Sequence, residues 1–266
     1  MTPAQNDLLC RVEGNAPMGK LMRQHWLPAC MSEEVAEPNC APRKVRLLGE
    51  DMVVFRDSEG RVGVLDEKCP HRRASLVFGR NEDCGLRCLY HGWKFDVTGQ
   101  VVDMSSEPHD SRMLSTMKTK AYPVREAGGF IWVWMGDPEE IGSFETPTWA
   151  PTADTRLSIV KMHGACNWAQ VLEGSIDSAH SSSLHSTNMP AAVDVDSCKA
   201  TDTAWFRPSN DKSPRIEVQK TIFGFRYVAI RKPILNAESM NYVRMTLFVA
   251  PFTVHIPPND QYNLSQ

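Results

Sequence analysis

Residues 69–93 read CPHRRASLVFGRNEDCGLRCLYHGW, and the prediction of the fold starts from this stretch. It contains two pairs in which a cysteine precedes a histidine, Cys69 with His71 and Cys88 with His91. Sixteen residues separate the two pairs. Thiolate and imidazole are both strong metal ligands, so four such side chains in two short segments predict a metal centre.

Two thiolates and two imidazoles suit a [2Fe–2S] cluster in which the cysteines hold one iron and the histidines hold the other. Imidazole ligands remove negative charge and raise the reduction potential above that of an all-cysteine cluster, so the centre would relay electrons. Structural zinc is the alternative, because two cysteines and two histidines also form tetrahedral zinc sites. Zinc modules usually place both cysteines before both histidines, whereas the order here alternates, which favours the cluster.

The same residues resemble the Rieske box of ring-hydroxylating oxygenases. The likeness covers three features: Cys69-Pro70-His71-Arg72, Cys88-x-Tyr90-His91-Gly92-Trp93-x-Phe95-Asp96, and Gly99. The resemblance implies that Cys69 and Cys88 bind one iron, and that His71 and His91 bind the other. The glycines and the proline suit tight loops, because glycine reaches backbone angles that other residues resist and proline presets one.

Composition points to an ordinary folded protein of one large or two modest domains, with 266 residues, 42% hydrophobic and 23% charged. A formal net charge of −3 gives no basic field for nucleic acid. Residues 1–11 do not have a secretory pattern, and no apolar run reaches about 18 residues. We therefore expect a cytoplasmic protein that binds neither nucleic acid nor membrane, with its scattered cysteines as free thiols.

The first domain is predicted to span residues 1–146, with an N-terminal helix over Met18–Trp26 and a Rieske module of short antiparallel strands. The apolar runs of that module are Val45–Leu48, Met52–Arg56, Arg61–Leu65, Leu76–Phe78, Val97–Val102, Tyr122–Val124 and Gly129–Gly136. Ser105–Lys120 is predicted to be a loop. Pro147 and Pro151 flank a linker, so residues 147–266 form the second predicted domain.

The second domain begins with a predicted helix that contains another set of metal ligands. Asp177 and His180 are three residues apart and would share a helix face. His185 follows five residues later, after a serine run that would end or distort the helix. Two histidines and a carboxylate with open positions favour mononuclear Fe(II). The alternative is a serine-rich helix end with two incidental histidines.

The segment from Asn167 to His185 also resembles the catalytic helix of the same oxygenase family. The resemblance implies that His180 and His185 bind the mononuclear iron. It implies that Asp177 hydrogen-bonds a ligand histidine and a Rieske histidine of the neighbouring subunit. The family takes its third ligand, a carboxylate, from a helix far downstream, whereas this sequence stops at Gln266. We therefore expect a fragment of a longer chain; a natural short form is the alternative.

Further strands are predicted over Ala204–Arg207, Arg215–Ile222, Phe225–Arg231 and Tyr242–Ala250. The fold class is therefore α+β, and the resemblance implies a helix-grip catalytic domain whose C-terminal part is missing here. Arg207 and Arg244 lie among apolar neighbours, and a half-buried arginine pairs well with a carboxylate. They are candidate ligands for an aromatic dicarboxylate, with pairing to the protein's own carboxylates as the alternative.

The chain looks closest to the phthalate dioxygenase branch of the family. That resemblance implies an oxygenase component that cis-dihydroxylates an aromatic (di)carboxylate such as phthalate with O₂. An NADH-dependent flavin and iron–sulfur reductase would supply electrons, and the assembly would be a homotrimer or stacked trimers. The alternatives are a Rieske monooxygenase or O-demethylase acting on aryl ethers or methoxybenzoates, and a Rieske electron carrier.

Overall fold

The computed structural model describes residues 1–108, 111–147, 158–187 and 208–257. The chain divides into two compact units, Met1–Met162 and His163–Gln266. Each unit combines helices with antiparallel strands, which confirms the predicted α+β class. The domain boundary predicted at residues 146 and 147 stays a prediction.

The described α-helices are α1 (Pro3–Cys10), α2 (Pro17–Arg23), α3 (Met113–Thr116) and α4 (Trp168–Ile176). Helix α2 ends three residues before the predicted Trp26, because the next two N–H groups bond to carbonyls three residues back and tighten the last turn. Helix α3 lies inside the segment predicted as a loop. Among these residues no helix has the length and hydropathy needed to cross a bilayer.

Ten short strands form the sheets of the first unit in its described residues. They are β1 (Trp26–Met31), β2 (Arg43–Leu47), β3 (Glu50–Arg56), β4 (Val62–Asp66), β5 (Arg80–Glu82), β6 (Gly85–Arg87), β7 (Trp93–Phe95), β8 (Val101–Met104), β9 (Val124–Ala127) and β10 (Phe130–Trp134). Three antiparallel sheets result, with strand orders β1-β10-β9, β2-β3-β4 and β5-β6-β7-β8.

Three predicted strands of this unit differ in the structure, and of Tyr122–Val124 only the last residue lies in a strand, β9. Leu76–Phe78 is a turn of 3₁₀ helix and not a strand. The run predicted at Val97–Val102 is mostly a turn, and β8 starts only at Val101. Gly99 explains the turn: its φ is +80°, and a Cβ there would lie 2.4 Å from the carbonyl oxygen of Thr119. Only glycine fits that close approach.

The core of the first unit lies against the 69–93 stretch. Strand β3 is buried on both faces, with Met52, Val53, Val54 and Phe55 all inaccessible to solvent. Leu76, Leu86, Trp93 and Phe95 join the same apolar cluster, together with Cys69 and Cys88. The two candidate thiolate ligands, Cys69 and Cys88, therefore pack in the hydrophobic core of this unit.

The second unit has one four-stranded antiparallel sheet in its described part. Its strands are β11 (Arg215–Thr221), β12 (Gly224–Arg231), β13 (Tyr242–Val249) and β14 (Thr253–His255), in that order. Burial alternates along β12, where Tyr227, Ala229 and Arg231 are covered. Side chains two residues apart point to the same face of a sheet, so these three mark its covered face.

Most cysteines expected to be free thiols fall within the described residues and form no disulfide there. These are Cys10, Cys30, Cys40, Cys84 and Cys166. Cys198 lies outside the described residues.

Glu50, at the start of β3, gives the first testable prediction. Burial alone would raise its pKa, but hydrogen bonds from Lys120, Arg23 and Tyr122 lower it from 4.5 to about 2. A lowered carboxyl pKa stabilises the folded state above the unfolded pKa, and the stabilisation is lost as pH falls towards the folded pKa. We expect Glu50→Gln to lower the free energy of unfolding at pH 7 by about 1–3 kcal/mol.

The difference between wild type and Glu50→Gln should shrink as pH falls from 4.5 to about 2, which denaturant unfolding followed by tryptophan fluorescence would measure. Glu37→Gln, at an exposed glutamate, is the control. Equal stability of the Glu50 variant and wild type at pH 7 would show that the hydrogen bonds from these three residues make no net contribution to stability.

Candidate metal centres

The two Cys/His segments form loops with the same backbone hydrogen bonds. In the first loop the N–H of Cys69 donates to the carbonyl of Ala74 at 2.9 Å, and its own carbonyl accepts from the N–H of Arg73 at 2.9 Å. In the second loop the N–H of Cys88 donates to the carbonyl five residues later at 2.8 Å, and the carbonyl of Cys88 accepts from the N–H four residues later at 3.1 Å. The two Cys/His pairs therefore lie on loops that share one backbone hydrogen-bond pattern.

The matching extends to the backbone conformation. The fourth residue after each cysteine is left-handed: Arg73 with φ +60° and Gly92 with φ +76°. Glycine adopts this conformation without strain, while arginine does not. A Cβ on Gly92 would also lie 3.1 Å from the Ser105 hydroxyl. The second loop therefore has a sequence signal for its shape, whereas the first does not.

Cys69 and Cys88 meet between the loops. They are 1% and 3% exposed, and the two thiols are close enough for Cys88 to raise the pKa of Cys69 in addition to burial. Burial raises the pKa of the Cys69 thiol to about 11, against the lowering effect of the His71 N–H. An uncompensated thiolate is therefore unfavourable here, so a bound cation is needed to hold the ligand form at neutral pH.

His71 and His91 also come together, with ring centroids 4.5 Å apart. The indole of Trp93 stacks on His71 at 4.7 Å with an interplanar angle of 5°. The exposed ring of Tyr90 lies 3.9 Å from that of His91. Desolvation and the nearby His71 and Arg72 lower the pKa of His91, which favours the neutral imidazole that binds metals.

Arg87 supports the second loop and was not singled out by the sequence. Its Nη1 donates to the carbonyl of Gly92 at 2.7 Å and pairs with Asp103 at 2.5 Å, while its Nε pairs with Glu82 at 2.6 Å. The position of this arginine directly before a candidate ligand cysteine could have indicated its role in the sequence. However, a charged residue on a short strand more often faces solvent.

The donor set of the first unit fits a [2Fe–2S] cluster. The four side chains come from two loops of equal geometry, two buried sulfurs lie side by side, and two imidazoles lie on the more exposed side. Each loop supplies one cysteine and one histidine, so the two thiolates can hold one iron and the two imidazoles the other. This arrangement favours the two-iron alternative.

The second candidate centre follows helix α4. Asn167 caps the helix by accepting from the N–H of Ala169 at 2.9 Å. Asp177 was expected on the helix, but it follows the last helical residue with an extended backbone, φ −82° and ψ 125°. His180 then begins a 3₁₀ turn, His180–Ser182. The helix ends earlier because the carboxylate of Asp177 caps this next turn.

The carboxylate of Asp177 makes three hydrogen bonds, two of them to His180. Its carboxylate accepts from the backbone N–H of Ala179 at 2.8 Å and of His180 at 3.0 Å, and its Oδ2 lies 3.0 Å from His180 Nδ1. Burial opposes ionisation, but these bonds lower the pKa of Asp177 below its usual value. A histidine held at Nδ1 by a carboxylate presents Nε2 to a metal.

His185 lies beside His180, with ring centroids 5.2 Å apart. Both rings are partly exposed. The structure therefore brings together Asp177, His180 and His185, and this set fits a mononuclear metal with two histidine ligands. Whether these residues bind iron stays a prediction.

The two candidate substrate arginines differ in what the structure describes. Arg207 and the predicted strand Ala204–Arg207 lie outside the described residues. Arg244 lies mid-strand in β13 and is half-buried, with Nη2 2.5 Å from the carbonyl oxygen of Pro257 and Nη1 3.3 Å from the Tyr242 hydroxyl. Its partner across β12 is Ala229, so its side chain lies on the covered face with Tyr227 and Arg231.

Comparison with protein families gives two matches. Residues 25–123 match the family described as the Rieske [2Fe-2S] domain, and this range contains the four candidate Cys/His ligands. Residues 133–266 match the family described as "LigXa C-terminal domain like", which contains Asp177, His180 and His185. The two candidate centres thus lie in separate family matches.

Curated relatives extend over nearly the whole chain. The phthalate 4,5-dioxygenase oxygenase subunit of Pseudomonas putida is 58% identical over 265 residues, covering 100% of this chain and 60% of that protein. The 3-chlorobenzoate-3,4-dioxygenase oxygenase subunit of Comamonas testosteroni is 36% identical over 255 residues, covering 96% and 57% respectively. The chain therefore spans only about three fifths of these relatives.

A solved structure supports the fold. The crystal structure of dicamba monooxygenase bound to dicamba superposes with a TM-score of 0.63 at 22% identity. The match covers 88% of this chain and 65% of that one.

Proposed function

Because this chain belongs to the Rieske ring-hydroxylating oxygenases, we propose that it is the oxygenase component of an aromatic-ring dioxygenase. Its substrate would be an aromatic dicarboxylate such as phthalate, cis-dihydroxylated with O₂. The observation that carries the proposal is the presence of two donor sets in one chain, Cys69/His71/Cys88/His91 and Asp177/His180/His185.

Each donor set has a distinct role in this proposal. When bound, a [2Fe–2S] cluster supplies single electrons and a mononuclear Fe(II) supplies the site of O₂ activation. Cys69 and Cys88 would hold the inner iron of the cluster from the core, and His71 and His91 the outer one. The exposed side of the imidazoles suits electron transfer to another protein surface.

Asp177 would orient a ligand and connect the two centres. It keeps His180 in the tautomer that carries a proton on Nδ1, and it remains ionised because three donors stabilise its charge. By likeness to the family, a Rieske histidine of the neighbouring subunit would approach the same carboxylate. His180 and His185 would supply two iron ligands, with the third from a carboxylate beyond the residues shown.

Two arginines would bind the substrate carboxylates. Arg244 supports this proposal because its guanidinium is half-buried on the covered face of the sheet, beside Tyr227 and Arg231. A planar guanidinium pairs with a carboxylate through two parallel bonds. Arg207 is proposed for the second carboxylate from its apolar sequence neighbours alone.

We expect Arg244→Ala to raise KM for aromatic dicarboxylates at least about tenfold with a smaller change in kcat, because a charged hydrogen bond to substrate is lost. Steady-state product formation by the full-length enzyme measures both constants. Arg226→Ala is the matched control, since Arg226 is exposed on the opposite face of the same sheet. An unchanged KM in Arg244→Ala would remove this arginine from the substrate site.

The partners follow from the same proposal. An NADH-dependent flavin and iron–sulfur reductase would reduce the cluster, and a homotrimer or stacked trimers would bring Asp177 of one subunit to the Rieske histidines of the next. The cytoplasm is the proposed location, because NADH and reduced thiols are available there.

Isotope labelling tests the reaction class. The full-length protein with its reductase is supplied with ¹⁸O₂ and phthalate, and the product is analysed by mass spectrometry. Two labelled oxygens in a cis-diol are expected. One labelled oxygen, or loss of an alkyl group from a methoxybenzoate with no diol from phthalate, would replace the proposal by a monooxygenase or O-demethylase.

A further inference from the structure

The segment that carries Asp177 is tied to the sheet on both sides of that residue. The Tyr227 hydroxyl donates to the carbonyl of Ile176 at 2.6 Å. Arg231 Nη2 donates to the carbonyl of Ser178 at 2.7 Å. One acceptor directly precedes Asp177 and the other directly follows it, so the two strand side chains fix the peptide units around the carboxylate.

Both donors come from the covered face of β12. Tyr227 is 5% exposed and Arg231 is 3% exposed. Hydrogen bonds from buried and charged donors are stronger than those at the surface, because water does not compete for them. Backbone N–H groups of Ser213 and Lys232 lower the pKa of Asp211, and the charge of Arg231 adds to this effect, so the buried cation has a nearby carboxylate.

Local hydrogen bonds do not fix the position of Asp177 relative to the sheet. Within the described residues its N–H donates to the carbonyl of Glu173 at 3.1 Å, and its carboxylate accepts from Ala179 and His180. All of these partners lie within four residues. They set the shape of the segment, but a rigid segment can still rotate as a whole. The bonds from Tyr227 and Arg231 remove that freedom.

We propose that Tyr227 and Arg231 are positioning residues that hold the Asp177 carboxylate, and through it the His180 imidazole, in the orientation that the mononuclear iron requires. The inference rests on the proposed function, since it assigns the His180 site to iron. Neither residue contacts the reacting atoms. A displaced carboxylate would loosen the hold on His180 Nδ1 and misdirect Nε2, which weakens metal binding without altering the ligand set.

The test uses the full-length holoenzyme with Tyr227→Phe, Arg231→Met and Arg231→Lys. Tyr227→Phe removes one donor with little change of volume. Arg231→Met removes the donors and the charge, while Arg231→Lys keeps the charge on a single ammonium. Arg226→Met is the matched control, because Arg226 lies on the same strand, is exposed and bonds to Gln219.

Three measurements separate positioning from a general loss of stability. Equilibrium dialysis with Fe(II) should show roughly tenfold weaker retention of the third iron in Tyr227→Phe and Arg231→Met, with partial recovery in Arg231→Lys. The paramagnetic resonance line shape of the nitric oxide complex of that iron should change. The Rieske signal and its potential should stay as in wild type, and Arg226→Met should match wild type throughout.

The outcomes distinguish this inference from the proposed function. Folded variants with wild-type Fe(II) retention and line shape would overturn the inference alone. A lower thermal midpoint with those two readouts unchanged would also overturn it, because the residues would then be merely structural. Wild-type protein that binds no third iron would overturn the proposed function and this inference together. If Arg231→Met does not fold, Tyr227→Phe decides the question.

Discussion

His71→Ala is expected to abolish reduction of the Rieske cluster and, with it, all oxygenase turnover. His71 is one of two imidazoles that would hold the outer iron, and its ring is fixed between His91 at 4.5 Å and Trp93 at 4.7 Å. Alanine removes the ligand and leaves an open coordination position, so the mixed-ligand cluster is lost or converted. Turnover with reductase and NADH should fall to the assay background.

Absorbance and paramagnetic resonance of the dithionite-reduced protein measure the cluster directly. His163→Ala is the matched control, since His163 is exposed and belongs to neither donor set. The Fe(II) at the second centre should remain bound in His71→Ala, because its ligands lie in the other unit. A normal Rieske spectrum in His71→Ala would remove this histidine from the cluster.

Asp177→Asn is expected to bind both metals when Fe(II) is saturating, with the roughly tenfold weaker retention also expected of Tyr227→Phe, while turnover falls about 100-fold. Asparagine retains an oxygen that can accept from the N–H groups of Ala179 and His180, so the 3₁₀ turn stays capped. It loses the negative charge that fixes the His180 tautomer and, in the proposed mechanism, links the two centres. Electron transfer between centres should therefore fail although each centre is intact.

Metal content, single-turnover kinetics and product per O₂ consumed check this prediction. Asp137→Asn is the matched control, because Asp137 caps another 3₁₀ turn by accepting from Glu139 and has no histidine partner in the described residues. Wild-type rates in Asp177→Asn would exclude its charge from the mechanism. Loss of iron from the second centre even at saturating Fe(II) would show that Asp177 acts mainly in metal binding.

The sequence predicted a [2Fe–2S] cluster in the first unit, and the match to the Rieske [2Fe-2S] domain family confirms it, while the four ligand residues stay a prediction. The resemblance to Rieske ring-hydroxylating oxygenases is confirmed by the family matches and by the 58% identical relative. The identical hydrogen bonds of the two loops were not predictable. Arg73 adopts a left-handed conformation that its residue type disfavours, so no local signal marks it.

The helix end in the second unit shows a different limit of sequence reasoning. A spacing of three residues fits one helix face, so Asp177 and His180 were expected on one helix. In the structure the aspartate leaves the helix to cap the next turn. An aspartate side chain can accept from backbone N–H groups and so end a helix. Hydrophobic periodicity alone does not predict at which aspartate this happens.

The arginines of the sheet illustrate why register matters. Arg226, Arg231 and Arg244 all lie on strands rich in apolar residues, and the sequence favoured Arg244. Pairing of Ala229 with Arg244 places Arg231 and Arg244 on one face and Arg226 on the other. Tyr227 and Arg231 were not proposed as positioning residues from the sequence. Their alternation with Ala229 along the strand predicts that the three share one covered face. The alternation does not indicate which residues cover that face.

The central claim is that this chain provides ligands for two different iron centres, and metal analysis of the anaerobically purified full-length protein tests it most directly. The account predicts about three irons and about two acid-labile sulfides per chain, with the rhombic resonance of a mixed-ligand cluster after reduction. About two irons with that same resonance would reduce the protein to an electron carrier. Zinc in place of iron, with no visible absorption, would contradict the account entirely.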